Sequence, residues 1–376
     1  MTFCYSPWSN IDISPQGALT PCCKFQMSTY NVSFDMRTQT LDDYFGSAFL
    51  AEIKQEFAQG QWPRGCERCR IEEENNIASK RQLDYERWQQ HYQQYDLDSD
   101  KWITASIAFG NTCNLKCITC GPYSSSKWQH EYQTIHNVNI APVKFYRNDF
   151  VEKFIQQAPG VIHLDIPGGE PFLTGVQEQK CLLNHYITTG QAKYISLHYT
   201  TNVTLFPDQE WWDIWQHFEN VDIQLSIDGV GNRYEYIRYP AKWPEVVDNT
   251  ALYLERRRDN IQLSISHTVS AYNIYYLDEF FTWCEHMGLP TPWLGRVHNP
   301  MHMRPTVWPT AVRNLIADHL MSSNREHVRN WTQLLQSQDD SDKFDKFKTY
   351  MLEHDQYRGL DFAKTFPELA GLLNAQ

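Results

Sequence analysis

The amino-acid sequence predicts an α/β protein with a parallel sheet, a small Cys-rich head before it and a helical tail after it. Strand-like apolar stretches recur through the middle of the chain, and a helical pattern fills each gap between them. The ten Cys are spread unevenly. Cys4, Cys22, Cys23, Cys66 and Cys69 crowd the first 69 residues, Cys113, Cys117 and Cys120 form a second group, and Cys181 and Cys284 stand alone. The expected divisions are a head at 1–70, a polar helical linker at 71–101, the body at 102–305 and the tail at 306–376.

In the head, short extended stretches flank a turn at Ser14-Pro15-Gln16-Gly17. A helix is expected from Leu41 to Ala58, with Leu41, Tyr44, Phe45, Phe49, Ile53 and Phe57 on one face and Gly60 and Pro63 ending it. Residues 70–100 are rich in Glu, Gln and Tyr and read as a solvated helix joining head to body.

In the body, strands are expected at Trp102–Phe109, Val161–Ile166, Tyr194–Thr201, Val221–Ile227, Ile261–Val269 and Trp293–Val297. Helices fall between them at Ser124–His136, Val176–Thr189, Asp208–Phe218, Pro244–Arg257 and Tyr275–His286. Strands separated by helices imply parallel pairing through right-handed crossovers. Six such units are too few for a closed eight-stranded barrel. A partial barrel and a doubly wound sheet both satisfy the count. The tail, from Thr310 onward, reads as helical and polar.

At 376 residues the chain can hold such a body and an appendage. Its formal net charge of −12 argues against nucleic acid or an anionic membrane as the main partner. No run of 18 apolar residues could span a bilayer, and the first residues lack a signal-peptide pattern. The expected location is the cytoplasm, where thiols stay reduced and clustered Cys suggest metal ligands before disulfides.

The segment Asn111-Thr112-Cys113-Asn114-Leu115-Lys116-Cys117-Ile118-Thr119-Cys120-Gly121-Pro122 follows the first body strand. Loops at strand C-termini are where parallel α/β folds build their sites. Three soft thiolates suit iron–sulfur or zinc. Structural zinc prefers four ligands, and no fourth stands nearby in sequence. A cubane has four irons, so three Cys leave one iron open to a ligand.

This loop resembles the radical S-adenosylmethionine (SAM) superfamily, whose signature is C-x3-C-x2-C in this setting. The resemblance implies a partial (β/α)6 barrel, a 4Fe–4S cluster on Cys113, Cys117 and Cys120, and SAM as the ligand of the open iron. Thr119 stands where the family usually has an aromatic residue against the adenine. Ile166-Pro167-Gly168-Gly169-Glu170-Pro171 resembles the family's G-G-E-P stretch, which implies Gly168, Gly169 and Glu170 at the SAM amino group. Thr201 and Asn202 match the family's T-N segment. Ser226 and Arg238 match residues that contact the SAM carboxylate. Asp228 holds the ribose or caps the next turn. Ser266, His267, Thr268 and Asn273 fall where the family approaches adenine and ribose.

The head carries C-x12-G-x4-C over Cys4, Gly17 and Cys22, then Cys66-x2-Cys69. This resembles the twitch and SPASM domains that hold auxiliary iron–sulfur clusters, although those usually follow the barrel. The resemblance implies one further cluster on Cys4, Cys22, Cys66 and Cys69, with Cys23 as the alternative to Cys22. A four-Cys zinc knuckle is the competing reading.

Trp211 and Trp215 read as packing residues at helical spacing. His298, His302 and Arg304 are candidate substrate contacts or ordinary loop residues. Cys181 and Cys284 read as buried small hydrophobes.

The expected function is reductive cleavage of SAM to a 5′-deoxyadenosyl radical that modifies a peptide or protein side chain. The alternatives are radical modification of a small metabolite, sugar or nucleoside, and a non-catalytic iron–sulfur or zinc protein. An enzyme of this kind needs a reductase or flavodoxin-type electron donor.

Overall fold

The computed structural model describes residues 2–92, 104–140 and 149–374. The start of the expected strand at 102 and the expected linker helix beyond 92 lie outside these residues. The chain forms two compact units. One comprises Met1–Asn111, Pro142–Thr200 and Pro207–Asp222, and the other Thr112–Ala141, Thr201–Phe206 and Ile223–Gln376.

The first unit holds β1 (Asn10–Ile13), β2 (Leu19–Thr20), β3 (Thr104–Ile107), β4 (His163–Ile166) and β5 (Ser196–Thr201). β1 and β2 form an antiparallel hairpin whose turn closes with Gly17 N donating to Ser14 O at 2.9 Å. Gly17 has φ +95°, a conformation that glycine adopts at little cost. β1 also pairs in parallel with β3, placing Asn10 opposite Thr104 and Asp12 opposite Ser106. The head therefore adds two strands to the six expected. β3 pairs in parallel with β4, and β4 with β5.

β6 (Asn220–Ser226) runs from the first unit into the second, which also holds β7 (Ile261–Val269) and β8 (Trp293–Arg296), paired in parallel. The strand order is β2-β1-β3-β4-β5-β6-β7-β8. This is a mostly parallel α/β sheet, the class that the alternation predicts.

Parallel strands covered by helices on both faces usually read as unbroken apolar runs. These strands alternate instead. Ile11, Ile13, Ala105, Ile107, Leu164, Ile166, Leu197 and Tyr199 are buried on one face. Asp12, Ser106, Asp165 and His198 stand in register across the other.

The helix expected over 41–58 is two helices, Leu41–Phe45 and Ala48–Ala58. Gly46 ends the first, and Ser47 caps the second by accepting from Leu50 N. The six apolar residues of the expected face are all buried. Full burial of each large side chain is worth about 1.5–3 kcal/mol. The polar stretch after residue 66 is also broken, into Glu67–Glu74 and Lys80–Tyr92, and it is not solvated on every side. Glu72, Asn75, Ser79 and Trp88 are buried, with Lys24 paired to Glu72 at 3.0 Å.

Trp211 and Trp215 pack at 5.8 Å from each other, both buried, as their helical spacing predicts. Cys284 is buried in Leu277–His286. Cys181 is exposed, against expectation. Its helix, Val176–Thr188, buries Gln179, Leu182, Leu183 and Tyr186, and Cys181 falls on another face. The tail is helical, with Thr310–Met321, Trp331–Ser337, Phe344–Arg358 and Pro367–Asn374. It is less polar than expected because Phe347, Phe362 and Phe366 form a buried aromatic cluster with Tyr272.

Candidate functional site

In the first unit, Cys4, Cys22, Cys66 and Cys69 line one cavity. The loops carrying them are tied at the backbone. Phe25 N donates to Cys22 O at 3.1 Å, and Gln26 N donates to Gly65 O at 2.9 Å. The Phe25 ring lies directly on Gly65, where a Cβ would come within 2.3 Å of it. Only glycine allows this approach, which places Cys66 beside the Cys22 loop. Cys66 N donates to Pro63 O at 2.8 Å, and Cys69 follows in the helix Glu67–Glu74.

Burial raises the pKa of each of these thiols, and repulsion from neighbouring Cys of the set adds to it for Cys22, Cys66 and Cys69. Cys69 is pushed up to about 12. Crowded, poorly solvated thiols of this kind become thiolates when a metal centre supplies positive charge. Cys23 lies outside this cavity. It is exposed and lines a different, polar pocket. The geometry therefore groups Cys22, not Cys23, with Cys4, Cys66 and Cys69. Among the described residues no three His, Cys, Asp or Glu are arranged to hold a single metal ion.

The turn after β4 also belongs to the first unit. Gly168 has φ +152°, and a Cβ there would lie 3.0 Å from Gly110 O. Gly169 N donates to that same carbonyl at 3.3 Å. The loops after β3 and β4 thus run against each other with no room for a side chain at Gly168. Glu170 is fully buried, and its Oε1 accepts from Phe172 N at 3.4 Å.

In the second unit, Cys113, Cys117 and Cys120 occupy one loop held from several sides. Lys116 N donates to Tyr239 O at 2.6 Å and Ile118 N to Ile237 O at 2.7 Å, so Cys117 lies alongside Arg238. Leu115 N points at Cys113 Sγ from 3.4 Å, and Asn202 Nδ2 lies 3.8 Å from the same sulfur. Asn202 also donates to Asn114 Oδ1 at 2.9 Å. The turn beyond it carries Val203 at φ +67°, an unusual conformation for a β-branched residue. Asn249 Nδ2 donates to Val203 O at 2.8 Å, which helps hold that turn.

Burial raises the pKa of Cys117, against the pull of Arg238. Cys120 is pushed up to about 11 by burial and by Cys113, against its contact with Gly121. Arg238 Nε donates to Asp228 Oδ2 at 2.8 Å. Burial opposes the charge on Arg238, but Asp228 and Cys117 outweigh it and its pKa rises. Asp228 Oδ1 accepts from Thr268 N at 2.7 Å, and Asn273 Nδ2 donates to Asp228 O at 3.0 Å. Asp228, Arg238, Thr268 and Asn273 therefore meet just beyond β6 and at the end of β7. His267 Nδ1 lies 3.0 Å from Ile227 O, next to Asp228, and its ring packs 4.3 Å from that of Phe280.

One layer escaped the sequence reading. Trp128 Nε1 donates to Cys117 O at 3.1 Å, Arg358 donates to Lys116 O at 2.8 Å, and Tyr350 OH donates to Ile118 O at 3.4 Å. Behind them Glu131 is paired with Lys116 at 2.6 Å and Arg358 at 2.7 Å. The tail helix Phe344–Arg358 thus braces the Cys loop through contacts more than 200 residues apart, which no local pattern signals. Of the candidate substrate contacts, Arg304 donates to His298 O and Asp340 at 2.9 Å each, a structural role. His302 is buried against Tyr350, at a ring distance of 4.9 Å.

Residues 4–70 match the family model of SPASM, an iron–sulfur cluster-binding domain. The head is similar to these domains. No protein of curated function matches the chain. Among solved structures, the chain is similar to anSMEcpe with bound AdoMet (SAM) and the Kp18Cys peptide, at 17% identity and a TM-score of 0.41 over 53% of this chain and 52% of that one. It is similar to Streptococcus suis SuiB bound to S-adenosylmethionine, at 12% identity and 0.41 over 83% and 68%. For SuiB bound to its precursor peptide SuiA, the values are 12% and 0.38 over 96% and 73%. The match to anSMEcpe spans about half of that protein's length.

Proposed function

We propose that this chain is a radical SAM enzyme, with Cys113, Cys117 and Cys120 holding a 4Fe–4S cluster whose open iron binds SAM. One observation carries the reading: three Cys share one braced loop after β3, and the other Cys of that unit, Cys284, is buried in a helix. Such a cluster with SAM supplies a 5′-deoxyadenosyl radical able to take hydrogen from unactivated C–H bonds.

The protein's own part is to bind and orient. Leu115 N–H and Asn202 direct donors at Cys113 Sγ, which favours the thiolate over the thiol. Gly168 and Gly169 let the turn pack against the Gly110 backbone, and Glu170 accepts from the SAM ammonium. Asp228 fixes Arg238 by Nε and one terminal nitrogen, leaving the rest of the guanidinium fork for the SAM carboxylate. Asp228 thus acts through Arg238 rather than on the ribose. Thr201 and Ser226 line the same strand ends. The auxiliary cluster rests on Cys4, Cys22, Cys66 and Cys69. A peptide or protein side chain is the substrate class, by analogy with auxiliary-cluster enzymes that modify peptides. The reducing electron comes from a reductase or flavodoxin-type donor.

The test uses the Cys66→Ala/Cys69→Ala protein, in which only the central cluster should remain. Its reduced cluster should give an electron paramagnetic resonance signal that changes on adding SAM. An unchanged signal with full cluster content would mean that no iron is open to SAM.

A further inference from the structure

The polar face of the first unit carries a second pocket that neither cluster uses. It is lined by Asp12 on β1, Ser106 on β3, His163 and Asp165 on β4 and His198 on β5, under the helix Lys80–Tyr92. Strand register sets the wall, with Asp12 opposite Ser106, Ser106 opposite Asp165, and Asp165 opposite His198. Trp88 from the covering helix packs on His163 at 4.6 Å.

The pocket's cations are already matched. Lys80 Nζ binds both oxygens of Asp84, at 2.7 and 2.9 Å. Arg87 faces Asp222 at 3.6 Å, and Asp222 also holds His198 Nδ1 at 2.8 Å. Asp12 and Asp165 feel the Lys80 charge through space, but neither is ion-paired with it among the described residues. Among the described residues, the Asp12 carboxylate accepts only a long hydrogen bond, 3.5 Å, from the Thr20 hydroxyl. Asp165 Oδ1 is buried with no hydrogen-bond partner among the described residues.

His163 adds a third acceptor. It is 8% exposed, and its Nδ1 is likewise without a partner. Burial, with the nearby Arg87, holds the ring neutral. Its hydrogen bond to the Ser196 backbone favours the protonated form, so the ring gives its proton there. A neutral imidazole has one N–H, so Nδ1 keeps a lone pair. Two carboxylates and a bare imidazole nitrogen call for a ligand that brings several donors and positive charge.

We propose that this pocket binds a primary alkylammonium group, whose three N–H donors meet Asp12, Asp165 and His163 Nδ1. The charge left uncompensated by Lys80 and Arg87 is thereby neutralised, as buried carboxylates require. The inference stands on the first unit alone and does not depend on SAM chemistry, so its test reads binding rather than turnover.

The full chain with reconstituted clusters is titrated calorimetrically with n-butylammonium chloride, with a lysine-containing peptide, and with the same peptide carrying Nε-acetyl-lysine. At least one of the first two should bind and the acetylated peptide should not. Binding of butylammonium assigns the pocket to small amines, and binding of the peptide alone assigns it to a lysyl side chain. Asp165→Asn should weaken the bound amine about 10- to 150-fold, the range of a lost charge-assisted hydrogen bond. Asp12→Asn serves as the second variant, and each is first shown to unfold cooperatively. Failure of both amines to bind, equal binding of the acetylated peptide, wild-type affinity in both variants, or stoichiometric uptake of a divalent metal would overturn the proposal.

Discussion

Arg238 and Asp228 form a buried ion pair, 2.8 Å from Nε to Oδ2, beside the backbone that holds Cys117. Removing one partner of such a pair strands the other charge in a poorly solvated place, at a cost of about 3–5 kcal/mol. Asp228→Ala should lose stability on that scale in denaturant titration of the reconstituted protein. It should also weaken SAM binding, because Arg238 loses its anchor. Wild-type stability in this variant would mean that the pair has no such role.

The head separates two adjacent cysteines. Cys22 shares a cavity with three other Cys, whereas Cys23 lines the polar pocket. Cys22→Ser should therefore lose about half of the iron, and Cys23→Ser should keep all of it. Iron analysis after anaerobic reconstitution checks this, and the reverse result would exchange their roles.

Glu170 is fully buried and also bonds within its own turn through Phe172 N. Alanine there would disturb the turn as well as any ligand, so Glu170→Gln is the cleaner variant. It should weaken SAM binding about 10- to 150-fold and leave iron content unchanged. Calorimetry with full iron content and unchanged affinity would remove Glu170 from the SAM site.

Asp12 is raised to about 6, first by burial and also by Asp165. A carboxyl raised on folding is harder to ionise in the native state, so stability falls as pH rises from the ordinary value of 3.8 to about 6 and levels off above it. The cost is on the order of 2–3 kcal/mol once the group is fully ionised. Asp12→Asn should therefore be more stable than wild type at pH 7.5, and the advantage should shrink as pH falls through 6. Chemical denaturation of both proteins across that range checks the sign. A constant difference at all pH values would mean that Asp12 is not perturbed.

The six body strands were legible because each is an apolar stretch ending near a turn, and the structure moves their ends by only a few residues. β1 was harder to place. It is four residues long, and its partner β3 lies more than 90 residues away, a pairing set by tertiary contacts. Gly46-Ser47 could have been read as a helix stop followed by an N-cap, but the continuous apolar stripe through Leu41–Phe57 hid the break. The polar pocket left a signal that went unused. Asn10-Ile11-Asp12-Ile13 and His163-Leu164-Asp165-Ile166 alternate where covered parallel strands would be apolar throughout. The three-Cys loop was legible from spacing, whereas its braces, Arg358 and Tyr350, were not, because they arrive from the tail.

The central claim is that Cys113, Cys117 and Cys120 form a cluster with one open iron, and SAM cleavage tests it most directly. Wild-type protein, reconstituted anaerobically and reduced with dithionite, should release 5′-deoxyadenosine from SAM without added substrate. The triple change of Cys113, Cys117 and Cys120 to Ala should abolish the release while keeping about half of the iron on the head's own Cys. Wild-type protein that holds stoichiometric zinc and never releases 5′-deoxyadenosine, or a triple variant that still releases it, would contradict the account.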